Sequence, residues 1–242
     1  MWSNCAATRR SYASTWAWGL HLFERKFAEA EKMFLRALEG QPRLAPAYLR
    51  LSMLYISWRR QEEAVEMLHR AREADALGPG LALCEILVRM GGRDFEAAAE
   101  YGRRAIELHP HFPSALVFYA SALEAMGQYQ RALEQYRLAC VLAPDIVWHR
   151  TLEAACMARM GRVEEARSIL GEINKLRDYE YVDGYHTSIL MQALGDNDAA
   201  FAELERALED GCPTLSMMDV DAKLDPMHAD PRFEQLRKRI FG

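Results

Sequence analysis

The chain has 242 residues, half of them apolar, and its formal net charge of −5 is unevenly distributed. Residues 1–110 contain 16 Lys and Arg against 14 Asp and Glu, whereas the remainder contains 14 against 21. A protein that binds nucleic-acid phosphates needs a basic face, so the acidic second half argues against direct contact with nucleic acid. No apolar stretch reaches the roughly 18 residues of a membrane helix, and the first residues lack the pattern of a secretory signal.

The cysteines indicate a reducing compartment. They are five in number, and none is arranged in the Cys-x-x-Cys spacing of a zinc site or redox motif. Within helical patterns lie Cys84, Cys140 and Cys156, and at such positions cysteine acts as a small apolar residue. Because disulfide bonds are rare in the cytosol, an unpaired set of this kind predicts a cytoplasmic protein.

Residues 1–10 show no periodic pattern and are predicted to be an N-terminal tail. Beyond them alanine recurs every 34 residues, at Ala30, Ala64, Ala98, Ala132, Ala166 and Ala200. A second register follows seven residues later, at Ala37, Ala71, Ala105, Ala139, Ile173 and Ala207. Positions i, i+4 and i+7 share one face of a helix, so these small residues would let a neighbouring helix approach closely.

Each 34-residue unit is predicted to be a pair of helices. Three glycines separate the two helices: Gly127, Gly161 and Gly195. Glycine tolerates the left-handed conformation that often ends a helix, and proline cannot continue one. Three prolines follow the second helix: Pro42, Pro110 and Pro144. The six predicted hairpins cover residues 11–44, 45–78, 79–112, 113–146, 147–180 and 181–212.

The final segment, 213–242, is predicted to cover the last hairpin. Asp230 suits the N-cap of a helix and Pro231 its first position. Three apolar residues would then line one face of that helix: Phe233, Leu236 and Ile240. A stack of hairpins needs such a cap because its end would otherwise leave an apolar face in water.

The stretch Gly127-Gln-Tyr-Gln-Arg-Ala-Leu-Glu-Gln-Tyr-Arg-Leu-Ala139, closed by Pro144, resembles the tetratricopeptide repeat. The resemblance covers residues 11–212 and is strongest in the second helices. Four residues depart from the family pattern: Trp18, Glu85, Gly102 and Glu153. The resemblance implies an all-α, right-handed superhelical solenoid of six hairpins with a C-terminal capping helix. From Tyr181 onward the chain is also similar to the last part of bacterial tetratricopeptide arrays in transcription regulators, kinases and cyclases.

The resemblance further implies that the first helix of each hairpin lines a concave groove. One row along this wall would be Thr15, Leu49, Leu83, Val117, Thr151 and Tyr185, and the other Gly19, Met53, Leu87, Ser121, Ala155 and Ile189. None is Lys, Arg or Asn, so the carboxylate clamp of chaperone-binding members is absent from these rows. The candidate peptide-binding residues are Leu49, Arg50, Met53, Leu83, Leu87, Val117, Ser121, Thr151, Tyr185 and Ile189. Among them, Leu49, Met53, Leu83 and Leu87 are predicted to form the most continuous apolar strip, with Arg50 beside it to bind an acidic group of the ligand.

These observations favour a non-catalytic scaffold or adaptor that binds a protein or peptide partner. The alternative is a sensing or regulatory module of a bacterial transcription regulator, kinase or cyclase. Two other uses of the groove stay open, namely occupation by the chain's own tail and formation of a homodimer. A mainly apolar wall suits an amphipathic helix or an extended apolar peptide.

Neither catalysis nor a bound metal or cofactor is expected from the sequence. It contains no nucleophile elbow, Gly-rich phosphate loop or His-Glu-x-x-His motif. His109 and His111 flank Pro110 without a third ligand at a suitable spacing. The spacing of Asp219, Asp221 and Asp225 is similar to that of a calcium-binding loop, but the segment lacks the glycine that such a loop requires.

Overall fold

The computed structural model describes residues 26–76 and 78–242, and these form a row of α-helices without a β-strand among them. In chain order the helices are α1 (Phe27–Gly40), α2 (Ala45–Ser57), α3 (Gln61–Ala74), α4 (Pro79–Gly91), α5 (Phe95–Leu108), α6 (Pro113–Ala125), α7 (Tyr129–Leu142), α8 (Val147–Arg159), α9 (Val163–Leu176), α10 (Gly184–Ala193), α11 (Asn197–Glu209) and α12 (Pro231–Phe241). Two short 3₁₀ helices, Pro213–Met217 and Ala222–Met227, lie between α11 and α12. Within the described ranges, none of the helices has the length and apolar character needed to cross a membrane.

The helices pair as successive hairpins, α2 with α3, α4 with α5, α6 with α7, α8 with α9 and α10 with α11. First helices also contact one another, α2 with α4, α4 with α6 and α8 with α10, and Phe118 of α6 lies against Trp148 of α8, which makes the array a solenoid. Helix α1 is the second helix of the first predicted hairpin. The predicted partner helix of α1 lies outside the described residues, as do the predicted tail 1–10, the departure Trp18 and the groove positions Thr15 and Gly19. The all-α solenoid predicted from the repeats is confirmed.

Close helix packing depends on the two alanine registers. The six residues of the first register are all completely buried: Ala30, Ala64, Ala98, Ala132, Ala166 and Ala200. The second register is also buried, with no residue more than 2% exposed. Large side chains such as Phe34 and Tyr136 fill the space between the registers and are fully buried. The predicted role of the 34-residue spacing is therefore confirmed.

The turns inside the hairpins use two kinds of residue at one repeat position. Gly127, Gly161 and Gly195 have φ values of +74°, +82° and +83°, in the left-handed region. In the two preceding described hairpins this position is Arg59 and Arg93, with φ values of +59° and +64°. A residue with a Cβ atom is strained there by about 1 kcal/mol. The arginines must therefore have another role in the fold.

Three departures from the family pattern have local explanations. A Cβ atom at Gly102 would lie 2.8 Å from Cβ of Tyr119, so a side chain of α6 takes the space that an aromatic residue at 102 would fill. Glu85 is buried and forms an ion pair with Arg72. Glu153 lies 3.2 Å from Nε of Arg137. The carboxylates thus replace an apolar contact with charge pairs between neighbouring helices.

Helix α12 packs on the last hairpin. Phe233, Leu236 and Ile240 are buried, at most 4% exposed. Arg232 and Arg239 reach Asp198 and Glu205 of α11, at 2.8 and 2.7 Å. In addition, Phe241 at the end of α12 stacks on Phe27 at the start of α1, with ring centroids 5.5 Å apart. The C-terminal helix therefore joins both ends of the described array.

Residues 213–227, here named the return segment, run from α11 back across the first helices. Four apolar side chains anchor the segment and are almost completely buried: Leu215, Met218, Leu224 and Met227. Nε of Arg59 lies 2.7 Å from Oδ2 of Asp219, and Arg93 binds both carboxylate oxygens of Asp225 at 2.6 and 2.7 Å. The two strained arginines therefore hold the return segment against the second and third hairpins.

The first prediction tests the alanine register. Replacing Ala132 with leucine should lower the free energy of unfolding by about 1–3 kcal/mol, since the side chain has no space to occupy. The matched control is Ala28→Leu, at an exposed position of α1, which should change stability little. Urea unfolding followed by circular dichroism measures both. An Ala132→Leu protein as stable as the control would contradict the packing role.

A second prediction compares the two turn arginines. Arg59→Gly and Arg93→Gly both remove an ion pair and relieve the same backbone strain. Asp219 is only 8% exposed, so losing Arg59 leaves a buried carboxylate and should cost about 1–2 kcal/mol. Asp225 is 45% exposed, so Arg93→Gly should leave stability within about 1 kcal/mol of the unaltered protein. Urea unfolding would contradict this if the Arg93 variant lost as much stability as the Arg59 variant.

Candidate peptide-binding groove

The inner wall of the array is formed by the first helices of the hairpins, α2, α4, α6, α8 and α10. The return segment crosses this wall and covers part of it. Between the wall and the segment lies a cavity of about 300 Å³. Its position matches the groove predicted from the repeats, but one of its sides is made by the chain's own C-terminal part.

The lining of this cavity is mostly apolar. Its apolar side chains are Met53, Leu87, Met90, Phe118, Trp148, Leu152, Tyr185, Ile189, Met217 and Val220. The polar side chains that reach it are Ser121, His186, Thr214, Ser216, Asp221 and Lys223. An apolar recess with a few polar groups is the usual form of a site that binds an apolar group in a defined orientation.

Five of the ten candidate residues line the cavity: Met53, Leu87, Ser121, Tyr185 and Ile189. They come from four different first helices, as the 34-residue spacing predicted. The remaining candidates lie elsewhere on the wall. The structure therefore brings together about half of the predicted groove residues, while their role in binding stays a prediction.

The other five candidates do not border the cavity. Val117 and Thr151 are 0% and 1% exposed, and Oγ1 of Thr151 donates a hydrogen bond to the carbonyl of Val147 at 3.1 Å. Leu49 and Leu83 are partly buried among other apolar side chains. The expected continuous strip through Leu49, Met53, Leu83 and Leu87 is thus divided. Only Met53 and Leu87 of that strip border the cavity.

Arg50 is the charged candidate beside this strip. Its side chain is partly buried on α2, and desolvation lowers the pKa of its guanidinium. It does not border the cavity. A charge-assisted bond from Arg50 to a ligand in the cavity is therefore not supported by its position.

Phe118, Trp148 and His186 are among the cavity residues that were not identified from the sequence. The ring of Trp148 stacks on His186, with centroids 4.9 Å apart and an interplanar angle of 27°. The ring of Phe118 also lies near Trp148, at a centroid distance of 6.4 Å. Trp148 lies three residues before Thr151, on the same face of α8. A third row of repeat positions, placed one helical turn before the row that contains Thr151, would therefore have included it.

Asp183 orients His186. Oδ2 of Asp183 lies 2.6 Å from Nδ1 of His186, while Oδ1 accepts hydrogen bonds from the Tyr185 N–H and from the Cys212 thiol. Burial alone would raise the pKa of Asp183, but these hydrogen bonds hold it below its ordinary value. The ionised carboxylate therefore accepts a hydrogen bond from the Nδ1–H group of His186 and fixes the orientation of the ring.

The return segment is fixed to the wall by hydrogen bonds near the cavity. The hydroxyl of Tyr185 donates to Oδ2 of Asp221 at 2.9 Å. Burial, together with the Asp221 charge, raises the pKa of Tyr185 well above its ordinary value, so the phenol stays protonated and donates. Nη2 of Arg159 donates to the carbonyl of Lys223 at 3.3 Å. These bonds set the distance between the segment and α8 and α10.

Arg159 also belongs to a buried polar network beneath the segment. Its Nη1 lies 2.6 Å from Oε1 of Glu124, and Oε2 of Glu124 accepts a hydrogen bond from Tyr136 at 2.8 Å. The hydroxyl groups of Tyr136 and Ser121 are 3.0 Å apart. Burial would lower the pKa of Arg159, but the charge of Glu124 outweighs it and raises the pKa. Because both charges are paired, the network can stay buried between the hairpins.

The acidic residues of the return segment are bound to protein groups. Asp219, Asp221 and Asp225 contact Arg59, Tyr185 and Arg93, respectively, instead of converging on one point. Among the residues that the structure describes, no cluster of three or more His, Cys, Asp or Glu side chains could hold a metal ion. Burial raises the pKa of Cys212 to about 11, so its sulfur is a thiol and a poor nucleophile.

Comparison with known proteins agrees with this architecture. Residues 45–76 match the family described as tetratricopeptide repeat, and residues 92–173 match the family described as anaphase-promoting complex, cyclosome, subunit 3. No curated protein matches the chain in sequence.

Solved structures of similar fold cover nearly the whole chain. A tetratricopeptide repeat protein from Parabacteroides merdae is 13% identical with a TM-score of 0.66, covering 96% of this chain and 84% of its own. PilF of Pseudomonas aeruginosa is 16% identical with a TM-score of 0.57, and the match covers 95% of this chain and 99% of PilF. TTC0263 of Thermus thermophilus, a thermophilic TPR protein, is 17% identical with a TM-score of 0.57, and the match covers 81% of this chain and 96% of TTC0263. The chain therefore contains a tetratricopeptide repeat at residues 45–76 and has the fold of these tetratricopeptide structures, a solenoid of helical hairpins.

Proposed function

We propose that this protein is a non-catalytic scaffold that binds a partner protein by accepting an apolar side chain of the partner in the groove cavity. Tetratricopeptide arrays are in general protein-interaction scaffolds. The observation that carries the more specific proposal is the cavity itself, about 300 Å³ in volume and lined mainly by Met, Leu, Ile and aromatic side chains. Flexible methionines such as Met53, Met90 and Met217 can adapt to the shape of an inserted group.

The return segment decides what kind of ligand fits. It covers part of the inner wall, and its anchoring side chains are buried, so a long helix lying along the whole groove has no free path there. An inserted side chain, with the neighbouring backbone of the partner resting on the rim, needs only the cavity. This mode of binding differs from the long apolar strip expected from the sequence.

Burial of apolar surface would supply most of the binding energy. Each Å² removed from water contributes about 25 cal/mol before ordering costs are subtracted. Charged groups are few in the lining, so the affinity should depend weakly on salt concentration. A site of this kind is specific through shape and through its few polar groups.

The proposed setting is the cytoplasm. The four cysteines in the described part of the chain are free, and burial raises the pKa values of Cys84, Cys140 and Cys156 to about 12. Such thiols stay protonated and are retained as small apolar residues in a reducing environment. A homodimer that uses the same cavity is an alternative partner arrangement and is distinguished by the oligomeric state of the free protein.

The third prediction tests the cavity with peptides. Selection from a random peptide library displayed on phage should yield sequences that share one large apolar residue. The double variant Met53→Asp/Leu87→Asp should lose binding to these peptides by at least about tenfold, because two carboxylates would have to lose their hydration. Isothermal titration calorimetry measures the affinity, and circular dichroism checks the helicity.

The control for this experiment is Leu138→Asp/Val141→Asp, on α7. Both residues are exposed, at 43% and 75%, and both lie on a second helix outside the cavity. This variant should bind the selected peptides like the unaltered protein. Peptides that bind the Met53/Leu87 variant and the control equally well would show that the binding site lies on another surface.

A further inference from the structure

We infer that the cavity selects an aromatic side chain that carries a hydrogen-bond donor, the indole of a partner tryptophan, with Nε2 of His186 as the acceptor. The inference rests on the proposed function and specifies the residue that the cavity accepts. It depends on three features of the lining, namely its size, its aromatic residues and an acceptor, Nε2 of His186, to which none of the described residues donates a hydrogen bond.

The volume admits a fused aromatic ring. A dry apolar cavity of about 150 Å³ binds benzene, and this cavity is about 300 Å³. Trp148 and Phe118 contribute aromatic rings to the lining, and Met53 and Met217 contribute adaptable thioethers. Aromatic rings contact such groups favourably in offset-stacked or edge-to-face arrangements.

Most of the hydroxyl groups of the lining already have protein partners. Tyr185 donates to Asp221, Ser216 donates to the carbonyl of Pro213 at 3.0 Å, and Ser121 shares a hydrogen bond with Tyr136. Lys223 contributes an ammonium group, which donates hydrogen bonds and cannot accept them. These groups therefore either have a protein partner already or cannot accept a hydrogen bond.

His186 differs from the other polar groups. Its Nδ1 is bound to Asp183, and none of the described residues hydrogen-bonds to its Nε2. With the Nδ1 proton held by the carboxylate, a neutral ring has its free lone pair on Nε2. The ring lines the cavity and its side chain is 12% exposed. A donor on a ligand stacked near Trp148 can therefore reach this nitrogen.

An indole satisfies these conditions together. It is a flat, fused ring that packs against Trp148 and Phe118, and its N–H is a donor without acceptor character. A phenylalanine side chain would fill less of the cavity and leave Nε2 without a partner. A buried acceptor that loses its hydration without gaining a donor weakens binding, and this is the basis of the selectivity.

The test uses two probes of equal shape. Indole carries the N–H, and benzofuran has an oxygen atom in its place. Isothermal titration calorimetry on the full chain should show indole binding about fivefold more tightly than benzofuran, the effect of one net hydrogen bond. The variant His186→Phe keeps an aromatic ring against Trp148 but lacks the acceptor. It should bind both probes with affinities equal to within about twofold.

A measurement on the unaltered protein makes the test independent of how the variant folds. With ¹⁵N-labelled histidine, the Nε2 resonance of His186 should shift when indole is added and should not shift with benzofuran. Equal binding of the two probes would overturn the role of His186 while leaving the apolar cavity of the proposed function intact. Failure of both probes to bind would overturn the inference, whereas the peptide selection decides the proposed function separately.

The source of the indole is tested with N-acetyltryptophanamide. This probe has the tryptophan side chain and a short length of backbone on each side. Binding at least as tight as that of indole supports a partner side chain that enters with its backbone on the rim. Binding of indole without binding of the amide would overturn the assignment to a partner protein, since the cavity would then accept only a free small molecule.

Discussion

The whole structure depends on one constraint, that a single helical hairpin cannot bury its own apolar face. Each hairpin must be covered by its neighbours, and alanine at 34-residue intervals lets the helices come close enough to do so. The same constraint acts at the end of the array, where α12 covers the last hairpin. The return segment and Phe241 extend this cover along the inner wall and as far as Phe27.

Covering the inner wall changes the groove into a cavity. Arg59 and Arg93 take positions at which later hairpins have glycine, and their strained backbone is offset by contacts with the return segment. In the second half of the array, where the hairpin turns have glycine, the segment is held instead by Arg159 of α8 and Tyr185 of α10. The two modes of attachment leave an apolar space between the segment and the wall, and its shape depends on both.

The repeat architecture could be predicted almost completely, because alanine recurs along the sequence at a constant interval of 34 residues. Burial of Ala132 and its counterparts follows from spacing alone, and so does the presence of Met53 and Leu87 on one wall. The same spacing could not show that Val117 and Thr151 are taken up by helix packing, since a row of repeat positions does not define how each helix is rotated.

The part of the site made by the return segment could not be predicted. Arg59 and Asp219 are separated by 160 residues, and neither belongs to a recurring pattern that connects them. Residues 213–227 have no repeat and only short 3₁₀ helices, so their path is set by individual contacts. His186 was missed for a related reason, because its importance depends on Asp183, Trp148 and an empty space beside them.

Ligand binding and closure of the array should therefore be coupled. A group bound in the cavity, as proposed, would contact Met53 and Leu87 of the early hairpins, Tyr185 and Ile189 of the last one, and Met217 of the return segment. It has these contacts together only when the segment lies on the wall. A ligand shifts an equilibrium by its difference in affinity for the two states, so occupation of the cavity favours the closed arrangement. The side chain that a partner inserts would then act as part of the core that the separate hairpins lack.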